Sequence, residues 1–380
     1  MNVMTTQQLN DNLCDERQAF AELAHDLALK KLVENIEEHD RYPFTELYTD
    51  AIADAGTVGF YGINLNSRYG GVDMNTHMVA VILEQLSQHE AGLAGVVFTN
   101  AAALEIIRQA SEETDCAQVY AAITSLGTAP LAFQSYASPA EMEIPEVDAN
   151  GKLWGIARYL VLGNFADYAV IPAQKPDTHD YSLYLVNLSS HGVVKSDPIL
   201  SLGFHTCPAV DITLNGADAL LIGSHGKGNT YFDAMQKNMG LCAAAVSLGI
   251  MKGSLQSALQ YTADRYQGGR QIIDWPQVRM LLANMAIEVK IGESVLARAG
   301  QELENGCTGW GDTSLAAAIH VGEMATRSAT DGVQLFGGNG YTKDYPQEKR
   351  MRDARQAQCL LGMVPLKKIK YIAGIIDENI

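Results

Sequence analysis

Positive charge is scarce in this sequence. It holds 27 Lys and Arg against 44 Asp and Glu in 380 residues, a formal net charge of −17. Binding to a phosphate backbone or an anionic bilayer needs clustered cations, so neither nucleic acid nor a membrane surface is an expected partner. Any anionic ligand must be held by a local basic site. Cysteine is also sparse: six residues, Cys14, Cys116, Cys207, Cys242, Cys307 and Cys359, are scattered with no C-x-x-C pair. That spacing argues against a zinc centre and a disulfide framework, and predicts free thiols in a reducing, cytoplasmic setting. The opening segment MNVMTTQQLNDNLCDER is polar and acidic, so no secretory signal is expected. No apolar run approaches about 18 residues without a charged or polar break, which predicts no membrane span. Also missing are a P-loop, a Ser-His-Asp set, a metal-spaced cluster, and a G-x-G-x-x-G fingerprint opening a helix after a strand.

What is present is ordinary composition and two changes of texture. Hydrophobic residues make up 47% and charged residues 19%, as in a soluble globular protein large enough for a sizeable core. Residues 7–39 carry apolar side chains at helical spacing, with Phe20, Leu23, Ala24 and Leu27 followed by Leu29, Leu32, Val33 and Ile36, up to a stop at Tyr42-Pro43. A second helix is expected near 45–56, then a loop with Gly59, Gly62, Gly70 and Gly71. Two long apolar helices follow, interrupted near Gly92. Near 127 the period changes to two, with strands expected at 152–164, 168–174, 181–188 and 210–220. After about 226 the helical period returns. One helix of more than thirty residues is followed by a second starting at Pro276 and stopping at Gly306. A third has Asp312 as N-cap and ends at Gly337-Gly338. Long, Ala-rich, lightly charged helices of this kind predict a buried bundle. The fold class is therefore α+β: an N-terminal helical domain (1–126), a middle β domain (127–225) and a C-terminal bundle (226–380).

Four segments are candidates for chemistry, and each has a plain structural account. In QLFGGNGYTKDYPQEKRMRDA (334–354), Gly337, Gly338 and Gly340 follow a helix end. A helix cap and tight turn explains them, and close approach of the backbone to a ligand phosphate is the alternative. In DRYQGGRQIIDWPQVR (264–279), a helix ends with Arg265, Gln267, Gly268 and Gly269. This is either a basic helix terminus or a pyrophosphate contact through Arg265. Glu141, Glu143 and Glu146 read as a solvated loop face. His205, in GFHTC, is a conceivable general base but more simply an ordinary surface histidine.

Taken together, YGG at 69–71, R-x-Q-x-G at 265–269, and QLFGGNGY at 334–341 followed by RMRDA resemble the acyl-CoA dehydrogenase family over nearly the whole chain. The resemblance implies a helical domain, a β-barrel-like or sandwich middle domain and a four-helix bundle. It implies FAD bound across a subunit interface, and dehydrogenation of an acyl-CoA thioester between its α and β carbons. A glutamate would take the α-proton while the hydride goes to the flavin, and electrons would leave through an electron-transfer flavoprotein.

The departures from the family pattern are as informative. The family's catalytic glutamate precedes a Gly-Thr pair; here the matching run is Leu360-Leu361-Gly362-Met363, and Leu361 cannot accept a proton. The other place the family uses for its base, early in the long helix, falls at Met239. The flavin-ring stretches match Gln134-Ser135-Tyr136 and Val161-Leu162-Gly163-Asn164, which lose the expected aromatic and hydroxyl groups. The R-x-Q-x-G loop has Gly268 where phenylalanine is usual. In the family's shared site one subunit supplies the ring pocket, the glutamate and the final threonine. That set is lost here at Gln134, Val161, Gly163, Leu361 and Met363. The neighbour supplies an arginine loop and a glycine turn around the ADP part. That set is kept in Arg265, Gln267, Gly269, Gln334, Gly337, Gly338 and Gly340. The resemblance thus implies a non-catalytic subunit that clamps the cofactor of a homologous, glutamate-bearing partner. Two alternatives stay open: a self-sufficient enzyme with a relocated base such as Asp233, Asp344 or Glu348, and a non-enzymatic relative.

Overall fold

The computed structural model describes the backbone of residues 6–33, 36–41, 49–124, 129–176, 178 and 180–379. The expected stop at Tyr42-Pro43 and the first residues of the helix expected at 45–56 lie outside the described residues, as does the side chain of Cys14. The N-terminal region holds α1 (Thr6–Lys31), α2 (Ile36–His39), α3 (Thr49–Thr57), α4 (Thr76–His89), α5 (Ala91–Ser111) and α6 (Ala117–Thr124). The break between α4 and α5 falls at Glu90, not at Gly92. Glu90 is extended (φ −148°, ψ 111°), and its side chain accepts from the Leu93 N–H, capping α5. Gly92 is the second residue of α5, where a Cβ would collide with the Thr206 hydroxyl.

The middle region is one sheet built from β1 (Ala132–Phe133), β2 (Glu146–Val147), β3 (Leu153–Val161), β4 (Tyr168–Gln174), β5 (Tyr181–Asn187), β6 (Val193–Lys195), β7 (Ala209–Ala217) and β8 (Ala219–Ile222). Its order is β6-β7-β3-β1-β4-β5-β8, with β2 pairing β3 and β4. The four strands expected from alternation are present. The short strands β1, β2 and β6, of two or three residues each, have too little sequence to show a period. The parallel pairing of β1 with β4, beside the antiparallel pairing of β1 with β3, brings residues 132–136 to the centre of the sheet.

The C-terminal region begins with α7 (Gly228–Asp264). A two-stranded hairpin, β9 (Tyr266–Gln267) and β10 (Arg270–Gln271), leads into α8 (Pro276–Glu304), α9 (Trp310–Phe336), α10 (Gln347–Ala357) and α11 (Val364–Asn379). This is the C-terminal helical bundle expected, with three long helices (α7, α8, α9) and the shorter α10 and α11 against them. Asp312 lies inside the first turn of α9; Gly309, in the left-handed region, precedes the helix. The central α7 is buried along most of its length because its small residues admit neighbours closely. A Cβ on Gly249 or Gly253 would lie within 2.3 Å of backbone oxygens of α4. Helices α5 and α7 are long and apolar enough to cross a membrane, contrary to the expectation from charge breaks, but both are mostly buried inside the protein. They are core helices.

Buried charge ties the three regions together. Lys349 donates to Glu90 at 2.5 Å and to Asp353 at 2.6 Å, all three side chains being essentially inaccessible. Asp353 also accepts from the Phe204 N–H, and Arg352 pairs with Asp40 and Glu348. His205 is buried, not at the surface: its ring contacts the Asp40 backbone and the Ser201 carbonyl, each at 2.8 Å. It joins the middle region to the N-terminal one. The RMRDA run is therefore a structural junction.

Candidate functional site

Two places carry the residues singled out by the sequence, and they lie on different parts of the molecule. The first is at the far end of α7. The hairpin β9–β10 turns through Gly268 (φ 70°) and Gly269 (φ 91°), a two-residue turn with both residues left-handed, as hairpins of this length require. This accounts for Gly268 in place of phenylalanine. Trp275 packs where a side chain at 268 would project, 3.1 Å from an ideal Cβ, and Arg270 stacks over the Trp275 ring at 4.7 Å.

Beside the hairpin, Tyr261 stacks on Phe336 with ring centres 4.1 Å apart, and Tyr345 meets both edge-on. Asn339 donates to the Tyr261 hydroxyl at 2.9 Å. These contacts fix the turn after α9 against the end of α7. Together with Asp264 and Arg265 they line a cavity of about 440 Å³. Arg265 is on its wall, and Gln267 and Gly269 stand exposed on the hairpin. Gln334, Gly337 and Gly338 are exposed at the end of α9, with the Gln334 carbonyl accepting the Gly337 N–H. Gly340 is buried below; a Cβ there would strike the Val333 carbonyl. Gly337 has φ 58° and caps the helix, which a turn alone explains. Gly338 has neither a left-handed φ nor any atom within 4 Å of where its Cβ would be. Nothing within this chain requires a glycine there.

The second place is the turn between α10 and α11, where the sequence puts Leu361 in the position of a catalytic acid. Leu361 is buried, with φ 66°, and both its own backbone N–H and its carbonyl are bonded within the chain. Its N–H donates to the Ser135 carbonyl at 2.8 Å, and its own carbonyl accepts from Gln236 Nε2 at 2.7 Å. Lys370 on α11 donates to both Gln236 and Asp233. Lys367 donates to the carbonyls of Gln358 and Leu360 at 2.8 Å each. Burial pushes the Lys367 pKa down to about 8. Met239, on α7, is fully buried. Gln134 is buried too and donates to the Arg158 carbonyl at 2.6 Å, while Ser135 bonds Thr99.

Of the alternative acids, Asp233 connects to Leu361 through Lys370 and then Gln236, Glu348 is tied to Arg352, and Asp344 is exposed on a separate groove. The carboxylate that does come beside this turn is Glu141, taken from the sequence as a solvated loop residue. Both its oxygens approach the Met363 N–H, at 3.2 and 3.3 Å. Sequence reasoning missed Glu141, Gln236, Lys367 and Lys370 because their partners are backbone atoms 7 to 222 positions away or side chains on another helix. The one signal available was Lys367 and Lys370 three apart at the start of an apolar helix.

Comparison with known proteins decides the family. Residues 14–123 match the acyl-CoA dehydrogenase N-terminal domain, and residues 226–363 match its C-terminal domain. The chain belongs to the acyl-CoA dehydrogenase family. A probable acyl-CoA dehydrogenase of Mycobacterium tuberculosis is 26% identical over 351 residues, 88% of each chain. A subunit of the caffeyl-CoA reductase–Etf complex of Acetobacterium woodii is 25% identical over 382 residues, covering 95% of this chain and 98% of that one. Butyryl-CoA dehydrogenase of Megasphaera elsdenii has the same fold: TM-score 0.84 at 21% identity, over 99% of this chain and 100% of that one. Members of the acyl-CoA dehydrogenase family thus share both the order of regions and the overall structure seen here.

Proposed function

We propose that this chain is the non-catalytic subunit of an FAD-dependent acyl-CoA dehydrogenase. It holds the ADP part of the FAD whose ring lies in a homologous, glutamate-bearing partner. The observation that carries this is the contrast between the two places. The turn at Leu361 is filled and internally bonded, while the Arg265 cavity is open, and Gly338, exposed on the turn whose Asn339 lines that cavity, has no internal role. The residues fit the group. An arginine and bare backbone amides suit a pyrophosphate, and Tyr261, Phe336 and Tyr345 offer aromatic surface for a purine. Bound FAD supplies a hydride acceptor for the β carbon of an acyl-CoA. This chain's contribution is binding and orientation through Arg265, Gln267, Gly269, Gln334 and the Gly337–Gly340 turn. An electron-transfer flavoprotein is the proposed electron acceptor of the assembly, in keeping with the Etf complex of the Acetobacterium woodii relative.

The test is expression alone and together with a family member that retains the glutamate. Alone, the chain is expected colourless and inactive; paired, the complex is expected yellow with about one FAD per two chains. In that complex Arg265→Ala should weaken FAD retention about tenfold or more, while the melting temperature of the flavin-free chain stays unchanged, since the side chain is exposed. Loss of Arg265 without effect on the flavin would point instead to a non-enzymatic relative. A second reading, a self-sufficient enzyme with a relocated base, has its own support. Glu141 lies beside the Leu361 turn, and Gln134 Oε1 and Asn164 Oδ1 are buried without a partner near the expected ring position. A yellow, active homo-oligomer would establish that reading.

A further inference from the structure

We infer that Glu141 is a built-in latch that closes this chain's own flavin cleft, seating a carboxylate at the start of α11 where an external anion would otherwise bind. The inference deepens the proposed function and rests on it. The first amides of a helix have no partner within it and sit at the positive end of its dipole, so they attract an anion. Helix α11 runs for 16 residues from Val364, and Met363 offers the N–H just ahead of it. Glu141 takes that N–H with both carboxylate oxygens. The same carboxylate lies over Gly362, with Oε1 2.7 Å from where a Cβ would stand, and the φ of 117° there favours glycine. Lys367, buried behind the turn on the Gln358 and Leu360 carbonyls, adds a positive charge whose field reaches Glu141. Glu141 itself rides on the one-turn helix Pro139–Glu141, which follows β1 directly and is started by Ser138 capping the Ala140 N–H. Its neighbour Ser135 on the same segment accepts the Leu361 N–H. Two contacts from one segment, at Leu361 and at Met363, therefore pin the turn shut from the sheet side. Gln236 pins it from the α7 side. The cleft is closed by anionic substitution and not only by loss of the catalytic acid.

The test is hydrogen exchange on the full-length chain without any partner, comparing wild type with Glu141→Ala and Glu141→Gln. Loss of one such hydrogen bond should speed exchange of the Leu361–Met363 amides about tenfold in Glu141→Ala, with β3 and α9 unchanged. Glu141→Gln keeps an acceptor without the charge and should fall between the two. Added FAD should leave exchange of this turn in the wild type unaltered. Three results overturn the latch: equal exchange in Glu141→Ala and wild type, acceleration spread over the whole chain, or protection of the wild-type turn by FAD. Because no partner is present, failure of the heteromer reading shows in the co-expression experiment and failure of the latch shows here.

Discussion

Restoring the missing acid should not restore an enzyme. Leu361→Glu puts the family's residue back in its place, yet the side chain it replaces is only 1% exposed. Losing the leucine forfeits about 2 kcal/mol of apolar burial. The new carboxylate finds no free cation. Lys367 is committed to two carbonyl oxygens and Lys370 to Asp233 and Gln236. An unpaired buried charge adds about 3 kcal/mol or more, so the variant should lose roughly 5 kcal/mol at neutral pH. In a chain of this size that lowers the melting temperature by about 6 °C. The pH dependence carries a signature. Burial raises the folded-state pKa of the new acid, so the folded chain binds more protons than the unfolded one above about pH 4. The deficit relative to wild type should therefore shrink toward pH 4 and grow as pH rises. Thermal unfolding from pH 4 to 8, with flavin absorbance on the purified chain, measures both. A Leu361→Glu chain that melts with the wild type, purifies yellow and dehydrogenates a short saturated acyl-CoA by itself would refute the account of this turn.

Two further outcomes follow from the buried charges. Lys349→Met leaves Glu90 and Asp353 facing each other without their cation and should cost about 3–5 kcal/mol in thermal unfolding, whereas adding Glu90→Gln and Asp353→Asn to it should recover at least half. His89, whose pKa is pushed down to about 4 by burial, with His25 and Arg350 adding to it, stays neutral in the folded chain where the unfolded chain is already protonated. The unfolded state thus binds more protons between about pH 6.5 and 4, and wild-type stability should fall as pH drops through that window. His89→Gln should flatten the fall by about 1 kcal/mol in a denaturation series, the figure reduced because the ring is partly exposed.

The fold was legible in the sequence where periodicity ran long enough. Helices of 27 to 37 residues and strands of seven to nine declare themselves through repeated apolar spacing. The two-residue strands β1 and β2 cannot, and β1 is the strand that carries Gln134 and Ser135 toward the turn at Leu361. Boundaries failed where a tertiary partner set them. Glu90 ends a helix because Lys349, 259 positions away, holds its carboxylate. His205 looked like a surface residue because the carbonyl it needs belongs to Ser201 and its other contact to Asp40, across the regional boundary. For the candidate site, the absence of an acid at 361 was visible by inspection. What fills the space was not, since Glu141 reaches Met363 from 222 positions away.

The separation of lost and kept residues has a physical basis in the core. Tyr261, Phe336 and Tyr345, which shape the Arg265 cavity, pack with Ala258, Leu282, Met285 and Leu335 in a small cluster of their own. Leu361, Met239 and the strand residues around Gln134 belong to the main core, which spans all three regions. Among the described residues the half-buried Leu255 packs against both clusters, so substitutions at one place should be felt only weakly at the other. In an enzyme whose cofactor site is divided between subunits, that insulation lets one half of the site close while the half offered to a neighbour keeps its geometry. Arg265→Ala and Leu361→Glu should accordingly combine additively in stability, within about 0.5 kcal/mol. Coupling larger than that would mean the two places communicate through the length of α7, and that the closed turn is part of how the open cavity is shaped.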